Sequence, residues 1–541
     1  MKLSLNTLHD PFWEEHEVET PKFDIEKMRE NTRKSPVWIH FGAGNIFRGF
    51  IAELQQRLLD AGEEKSGIIA CDTFDYEIID KIYKPYDNLT LLVGLKPDGT
   101  TDKKIVASVA DGIKADASDV KEMERLRSLV RNPSLQMISF TITEKGYALA
   151  DLNGNLFPAV ERDIAEGPAK TAHAMSIVAS LLYERFCAGK YPLAVVSMDN
   201  CSRNGEKLRS SVLAVAEGWK ENGYVGEDFL AYLNDEEKIC FPWSMIDKIT
   251  PRPAKEVEDM LAEAGVEEMA PVVTGRNTFI APFVNAEIPQ YLVVEDRFPN
   301  GRPALEKAGV YMTDRDTVNN TERMKVTTCL NPLHTALAVY GCLLGYTRIA
   351  DEMKDKELKT LVEKIGFAEG MPVVVDPKII SPEEFIHEVI DVRLPNPFIP
   401  DTPQRIATDT SQKMPIRFGE TIKSYVKDEK LDAGSLIYIP LAIAGWLRYL
   451  TGIDDEGEEI QVSSDPMLAE LQAALSGVVV GKPQSAEGKL APILSNPVLF
   501  GVNLYDAGLG ERIESMFGEL IAEKGAVRKT LRKYLSQHER E

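Results

Sequence analysis

The sequence predicts an α/β domain built on a parallel sheet, followed by a mainly α-helical domain. Three observations lead to this fold class. Short, continuous apolar runs alternate with helix-length segments in the first part of the chain, which is typical of parallel strands buried on both faces. A glycine-rich turn joins the first of these runs to a helix. From about residue 313 onwards, helical periodicity dominates. We therefore expect two domains, residues 1–312 and 313–541.

Composition narrows the possible partners of the chain. The 541 residues include 62 lysines and arginines against 85 acidic residues, which gives a net charge of −23. This acidity argues against nucleic acid and anionic membrane surfaces as partners, and any pocket for an acidic substrate must gather its cations locally. The longest apolar run, 436–446, is too short to cross a bilayer.

Cysteine and histidine spacing argues against a metal site. The six cysteines contain no CxxC pair, and the seven histidines contain no HExxH motif. Nor do the first residues show the apolar stretch of a signal peptide. These features favour a reduced, cytoplasmic setting and no bound metal.

The first apolar run leads into a glycine turn and a helix. Gly42 permits a tight turn, and Gly44 lets the backbone approach a pyrophosphate, whose charge the helix N-terminus favours. The third glycine, Gly49, comes later than in the GxGxxG pattern. We place Asn45 and Ile46, at the start of the helix, in the same cofactor site.

A second buried strand, 67–71, is followed by Asp72. A carboxylate at this point binds the ribose hydroxyls of NAD and repels the additional phosphate of NADP, and no arginine follows within the next few residues. Strand, glycines, helix, strand and acid together predict a Rossmann-like domain that binds NAD. Asp75 is the alternative carboxylate, and a purely structural glycine turn is the alternative interpretation.

Polar residues also follow later strands. Glu144 comes after the strand 137–142 and is placed in the cofactor site, with a solvated Glu-Lys pair as the structural alternative. Asn200 follows the strand 192–197, where it would donate a hydrogen bond to a substrate oxygen. Open α/β sheets bind ligands at such strand ends. Asp247 is a candidate carboxylate in a loop-rich stretch.

A lysine, an asparagine and a histidine lie within ten residues at Lys325, Asn331 and His334. A buried helix follows them at 335–346. A lysine that approaches such a helix is costly unless it is used or paired. The structural alternative is a snorkelling lysine followed by an Asn-Pro helix start.

Together these segments resemble the mannitol dehydrogenase family, the polyol-specific long-chain dehydrogenases and reductases. The resemblance extends from about residue 37 to about residue 418. The matching segments are HFGAGNIFRGF at 40–50, TEKGY at 143–147, SMDN with a following NG at 197–205, FPWSMIDKITP at 241–251, the lysine–asparagine–histidine stretch and the basic loop at 405–413.

The resemblance implies metal-independent hydride transfer between NAD(H) and a secondary alcohol or ketone. Lys325 would be the general acid/base, and Asn200 and Asn331 would hydrogen-bond the reacting oxygen. His334 would hold the substrate, while Glu322 would help to move the proton. The chemistry agrees, because lysine serves as a base near neutral pH only if burial or a cationic neighbour lowers its pKa.

The resemblance also implies a sugar acid or polyol as substrate. Arg405 and Lys413 would bind its hydroxyls or carboxylate, Asp247 would bind hydroxyls, and Arg417 lies close by in sequence. The cations favour the interconversion of D-fructuronate and D-mannonate. Tagaturonate reduction, mannitol oxidation and a catalytically silent NAD-binding regulator remain as alternatives, and the sequence leaves open whether the protein is a monomer or a dimer.

One spacing departs from the family pattern, which is Lys-x4-Asn-x2-His. Five residues separate Lys325 from Asn331, and an α-helix would then turn His334 about 180° from the lysine instead of about 80°. We predict a π-bulge or a break between Val326 and Asn331, which would let the three polar groups face one cleft. The rival is that Asn331 caps a helix that begins at Pro332.

Overall fold

The computed structural model of the chain describes residues 1–151 and 153–536. The chain divides into two compact units, Met1–Asn319 and Asn320–Glu541. The division falls within the helix Arg315–Met324.

A six-stranded parallel sheet forms the centre of the first unit. In spatial order its strands are Val109–Lys114, Ile68–Asp72, Trp38–Phe41, Met137–Phe140, Leu193–Ser197 and Ile239–Cys240. The strand that comes first in the chain lies in the middle, paired in parallel on both sides. The order therefore reverses beside this strand, which is the point at which doubly wound sheets bind dinucleotides. The predicted α/β fold is confirmed.

Helices pack on both faces of this sheet, which explains why every strand except the edge strand Val109–Lys114 is buried along its whole length. The helices of the first unit, including short 3-10 and π segments, are Leu5–Thr7, Phe12–Glu15, Ile25–Lys34, Phe47–Ile51, Ala52–Asp60, Ile79–Tyr83, Lys84–Tyr86, Val120–Arg131, Glu144–Gly146, Pro158–Glu166, Ala174–Gly189, Asn204–Glu221, Glu227–Asn234, Lys255–Glu263 and Leu305–Ala308.

Three smaller sheets complete the first unit. Their strands are Val18–Glu19, Thr101–Val106, Thr90–Leu95 and Phe283–Glu287 in one, Ser244–Asp247, Tyr291–Glu295 and Tyr311–Thr313 in another, and Val272–Val273 with Phe279–Ile280 in the last.

The second unit is built around two buried helices, Asn331–Leu343 and Tyr438–Leu450, which pack against each other. The Tyr340 hydroxyl donates to the carbonyl oxygen of Leu441 at 2.7 Å. A Cβ at Gly445 would come within 2.6 Å of the Tyr340 ring, so the glycine permits this close approach. The interaction fixes the helix that carries His334.

Other helices surround this pair. They are Lys325–Cys329, Ile349–Glu352, Lys356–Glu363, Lys364–Gly370, Met371–Val373, Pro382–Glu388, Val389–Arg393, Pro403–Ile406, Thr410–Met414, Pro415–Gly419, Glu420–Lys427, Ala433–Ser435, Leu468–Ala474, Pro483–Ala486, Ala491–Leu494, Pro497–Phe500, Gly510–Leu520 and Ala526–Ser536. No helix in residues 1–151 and 153–536 combines the length and apolarity that a membrane crossing requires.

The basic segment 405–413 is not the loop that the sequence suggested. Arg405 lies in the helix Pro403–Ile406, and Lys413 lies in the helix Thr410–Met414. Pro403, which precedes the segment, is the first residue of a helix, where a missing N–H is no loss. The prediction of a basic loop at 405–413 was therefore wrong.

Lys325–Cys329 forms a π-helix, and the N–H of Leu330 donates to the carbonyl oxygen of Lys325 at 3.1 Å. Leu330 then departs from helical geometry before the next helix begins at Asn331. The predicted bulge is confirmed, because a hydrogen bond that spans five residues encloses one residue more than the α-helical bond and so absorbs the additional residue.

Glu352 is a buried acid in the second unit. Its side chain is 0% exposed, and neither carboxylate oxygen has a hydrogen-bond partner among the described residues. A Cβ at Gly341 would come within 2.1 Å of its Oε1, so the carboxyl group lies against the helix Asn331–Leu343. Burial raises the pKa of Glu352 well above its ordinary value.

Replacing Glu352 by glutamine should make the stability of the protein less dependent on pH. A raised pKa in the folded state means that the wild-type protein loses stability as pH rises above about 4.3, by up to about 1.4 kcal/mol per pH unit. Urea unfolding between pH 5 and pH 8 measures this difference. Glu456→Gln at an exposed position is the control, and parallel pH profiles for Glu352→Gln and wild type would contradict the assignment.

Candidate active site

The glycine turn lies at the carboxyl end of the middle strand of the central sheet. Gly42 has φ +106°, and a Cβ there would lie 2.2 Å from the carbonyl oxygen of Thr141. The position therefore requires glycine. A Cβ at Gly44 would meet no atom within 4 Å, so the space beside this residue is open to a ligand.

Asp72 holds the glycine turn in place. Its Oδ2 accepts the N–H of Ala43 at 3.1 Å, and its Oδ1 accepts the N–H groups of Phe74 and Asp75. Burial raises the pKa of this carboxyl group, which is 6% exposed. These contacts give Asp72 a structural task beside the predicted ribose contact, which stays a prediction.

Asn45 and Ile46 form the first turn of the helix after the glycines. Asn45 donates from Nδ2 to the carbonyl oxygen of Pro251 at 3.4 Å, whereas its buried Oδ1 has no partner within the described parts of the chain. An orphaned buried oxygen is costly and suits a ligand donor. With the open space at Gly44, this oxygen and the helix N-terminus fit a dinucleotide such as NAD.

Asp199 joins the ends of two neighbouring strands. Its carboxylate accepts the N–H groups of Ile142 and Thr143 and, at 2.6 Å, the hydroxyl of Tyr147. Thr143 has φ +65°, a strained conformation for a β-branched residue. Asp199 therefore fixes the shape of the TEKGY segment, a role that the sequence did not reveal.

The other predicted residues of the first unit occupy different environments. Glu144 is exposed and forms an ion pair with Lys207. Asn200 is also exposed and directly follows Asp199, whereas Asp247 is buried at the end of the strand Ser244–Asp247. The predicted contacts of Glu144, Asn200 and Asp247 with cofactor or substrate stay predictions.

Asn204 and Gly205 have packing roles. Asn204 donates to the carbonyl oxygens of Asp199 and Ser244 and accepts the N–H of Ser244. A Cβ at Gly205 would lie 2.8 Å from the carbonyl oxygens of Phe241 and Pro242. The NG of the 197–205 segment and the start of the 241–251 segment therefore pack the helix Asn204–Glu221 against residues 241–244.

Lys325, in the second unit, is 1% exposed and stands at the start of the π-helix. Glu322 precedes it by one turn and is half-buried, as is Asn331 after the break in the helix. The predicted roles of Lys325, Glu322 and Asn331 in proton transfer and in hydrogen bonding to the reacting oxygen stay predictions.

Asp401 connects His334 to Arg405. Nε2 of His334 lies 3.2 Å from Oδ2 of Asp401, and Nε of Arg405 donates to its Oδ1 at 2.8 Å. Burial lowers the pKa of His334 despite this carboxylate, so the neutral imidazole donates to Asp401. Burial alone would raise the pKa of Asp401, but His334 and Arg405 outweigh it and lower that pKa.

Lys413 and Arg417 extend this group of cations. Arg417 donates to the hydroxyl of Thr335, next to His334, at 2.5 Å. Burial lowers the pKa of Arg417 to about 10. Burial, with Arg417 nearby, lowers the pKa of Lys413 to about 8. We call Arg405, Lys413 and Arg417 the cationic cluster.

The structure thus brings three predicted residues, His334, Arg405 and Lys413, into one electrostatic group. Sequence reasoning missed Asp401, although its spacing of four residues from Arg405 is typical of a helical ion pair. No three histidine, cysteine or acidic side chains in the described parts of the chain are grouped as a metal site would need.

Two family profiles match the chain. "Mannitol dehydrogenase Rossmann domain" matches residues 37–307, and "Mannitol dehydrogenase C-terminal domain" matches residues 317–520. The chain belongs to the mannitol dehydrogenase family. The resemblance inferred from the motifs is confirmed.

Among relatives in the mannitol dehydrogenase family, the "D-mannonate oxidoreductase" of Thermotoga maritima is 56% identical over 542 residues and covers 100% of both chains. A solved structure of D-sorbitol dehydrogenase in substrate-free form has a TM-score of 0.78 at 25% identity and covers 97% of this chain and 99% of its own. The Pseudomonas fluorescens mannitol 2-dehydrogenase, in a ternary complex with NAD and D-mannitol, has a TM-score of 0.72 at 24% identity and covers 99% and 100%. These likenesses support the fold described above.

Replacing Lys325 by methionine should lower turnover by about 100-fold or more, because a positioned base contributes about 10²–10⁴ to the rate. NADH affinity, measured by fluorescence titration, should be unchanged, because the turn that fits the dinucleotide belongs to the first unit. Lys364→Met, in another π-helix of the second unit, is the matched control. A loss of less than tenfold would mean that Lys325 lowers the activation barrier by less than about 1.4 kcal/mol, and another residue would then be the base.

Proposed function

We propose that this member of the mannitol dehydrogenase family is an NAD-dependent oxidoreductase that interconverts D-fructuronate and D-mannonate. The observation that carries the proposal is the 56% identity to a D-mannonate oxidoreductase across the full length of both chains. Identity at that level over both domains supports the same reaction as well as the same fold.

Each residue has a task in this reaction. Lys325 takes the proton of the substrate hydroxyl during oxidation and returns it during reduction, with Glu322 passing it onward. Asn200 and Asn331 donate hydrogen bonds to the oxygen that becomes negative; one such donor is typically worth about 3 kcal/mol. His334 positions the substrate. When bound, NAD⁺ supplies the hydride acceptor.

We assign the dinucleotide to the first unit. Gly42 and Gly44 shape its pyrophosphate site, and Asn45 and Ile46 offer the helix N-terminus. Asp72 and Glu144 are the proposed contacts to the sugar and nicotinamide parts. The domain boundary that we propose remains residue 312, close to the compact-unit division at Asn319.

The cationic cluster supports a sugar acid over a neutral polyol. Arg405 and Arg417 lie near His334, and Lys413 lies near both of these arginines. Asp401 forms an ion pair with Arg405. In a chain with a net charge of −23, this concentration of positive charge favours a carboxylate ligand. Asp247 would bind substrate hydroxyls. Tagaturonate is the second candidate, because it carries the same carboxylate.

We further propose that the enzyme works in the cytoplasm. The six cysteines form no disulfide among the residues that the structure describes, which agrees with a reducing compartment.

Purified enzyme should reduce NAD⁺ with D-mannonate faster than with D-altronate or mannitol, and faster than it reduces NADP⁺. Absorbance of the reduced nicotinamide is the measurement. Preference for altronate or mannitol would replace the proposed substrate, and equal or better turnover with NADP⁺ would refute the cofactor preference. No turnover with any of the three, despite NADH binding, would favour the catalytically silent regulator.

The Lys413 pKa of about 8 predicts a substrate-dependent pH profile. The lysine is charged below this pH and neutral above it, so the value of kcat/KM for mannonate should fall about tenfold per pH unit above pH 8, relative to mannitol. Lys413→Arg keeps its charge and should abolish this relative fall. The same relative fall in the arginine variant would assign the titration to another group.

A further inference from the structure

A hairpin from residues 272–280 is anchored beside the end of the second strand of the central sheet. Its strands Val272–Val273 and Phe279–Ile280 are antiparallel. The Thr274 hydroxyl donates to Oδ2 of Asp75 at 2.6 Å, and both side chains are buried. The N–H of Gly275 donates to Oε1 of Glu77 at 3.1 Å. Asp75 therefore holds the hairpin tip in place.

The hairpin tip places Arg276 over an exposed aromatic ring. Cζ of Arg276 lies 5.0 Å from the ring centroid of Phe74, and Phe74 is 62% exposed. No arginine follows Asp72 closely in the sequence, yet folding brings one to this strand end. A ring and a guanidinium held together at the surface offer two flat faces to a planar ligand.

The position of this pair identifies the ligand. Phe74 lies two residues after Asp72, whose carboxylate accepts the N–H of Ala43 in the glycine turn. In a doubly wound sheet, a dinucleotide that crosses the glycine turn extends its adenosine half over the end of the second strand. Bases stack on aromatic rings and on guanidinium planes.

We propose that Phe74 and Arg276 hold the adenine ring of the dinucleotide, with the 272–280 hairpin as the support that positions Arg276. The proposal rests on the use of NAD in the proposed function and adds the residues that recognise its adenine end. The sugar-acid substrate has no part in it, so cofactor binding can be tested without any substrate.

The test compares two reduced ligands, NADH and reduced nicotinamide mononucleotide, which lacks the adenosine half; NADPH, which carries an additional 2′-phosphate, is titrated in parallel. Titrations use the full-length chain and its Phe74→Leu and Arg276→Gln variants. Both substitutions should raise the Kd for NADH about tenfold and leave the Kd for the mononucleotide unchanged, because a stacked base contributes at about this level. Unchanged melting temperatures would show that the variants are folded.

Lys190→Gln is the matched control. Its Nζ lies 4.8 Å from the centroid of Phe186, which makes it another surface cation–π pair, but it precedes the strand Leu193–Ser197 at the opposite end of the sheet. This variant should bind both ligands like the wild type.

Four outcomes would overturn the adenine assignment. They are an unchanged Kd for NADH in both variants, an equal loss of affinity for both ligands, a loss confined to NADPH, and failure of the wild type to bind NADH. The loss confined to NADPH would assign Arg276 to a 2′-phosphate instead. If the wild-type protein bound NADH but did not turn over mannonate, the proposed substrate would be wrong and the adenine assignment would be unaffected.

Discussion

The candidate site of the second unit depends on the interactions of Asp401. Its carboxylate joins His334, on the buried helix Asn331–Leu343, to Arg405 on a short helix. Its carbonyl oxygen accepts the N–H of Ile349, at the start of a further helix. One residue therefore fixes three elements. A buried carboxylate can do so only while its partners offset the cost of its desolvation, which makes the arrangement sensitive to the loss of either partner.

In the first unit, buried carboxylates likewise hold loops in place at the carboxyl edge of the central sheet. Asp72 ties the glycine turn to the loop after the second strand, and Asp199 ties the TEKGY segment to the end of the fifth strand in sequence order. In both cases the acceptor is a side chain and the donors are backbone N–H groups of loops that have no ladder partner at that point. Loops that would otherwise be variable are thereby preorganised, and binding loses less free energy in ordering them.

Sequence reasoning succeeded where the physical signal is local. The glycine turn was predictable because a strand, glycines and a helix start lie within a few positions. The π-helix at Lys325 was predictable from the number of residues between Lys325 and Asn331. It failed where partners come from distant segments. The contacts of Asp401 with His334 and of Arg276 with Phe74 join residues far apart in the chain, and no local pattern marks such a contact. The short helices around Arg405 were missed because proline in a first turn and proline in a loop have the same local signature.

Six π-helical segments occur in the described parts of the chain, at Phe47–Ile51, Ile79–Tyr83, Lys325–Cys329, Lys364–Gly370, Val389–Arg393 and Pro415–Gly419. Each gives a helix more residues than the regular 3.6 per turn, and Lys325–Cys329 continues the helix Arg315–Met324 without interruption before the break at Leu330. When relatives of different length are aligned, the gap at Lys325 therefore belongs inside a helix and not in the nearest loop. An alignment that forbids gaps within helices would shift His334 by one position and pair it with a residue of another role.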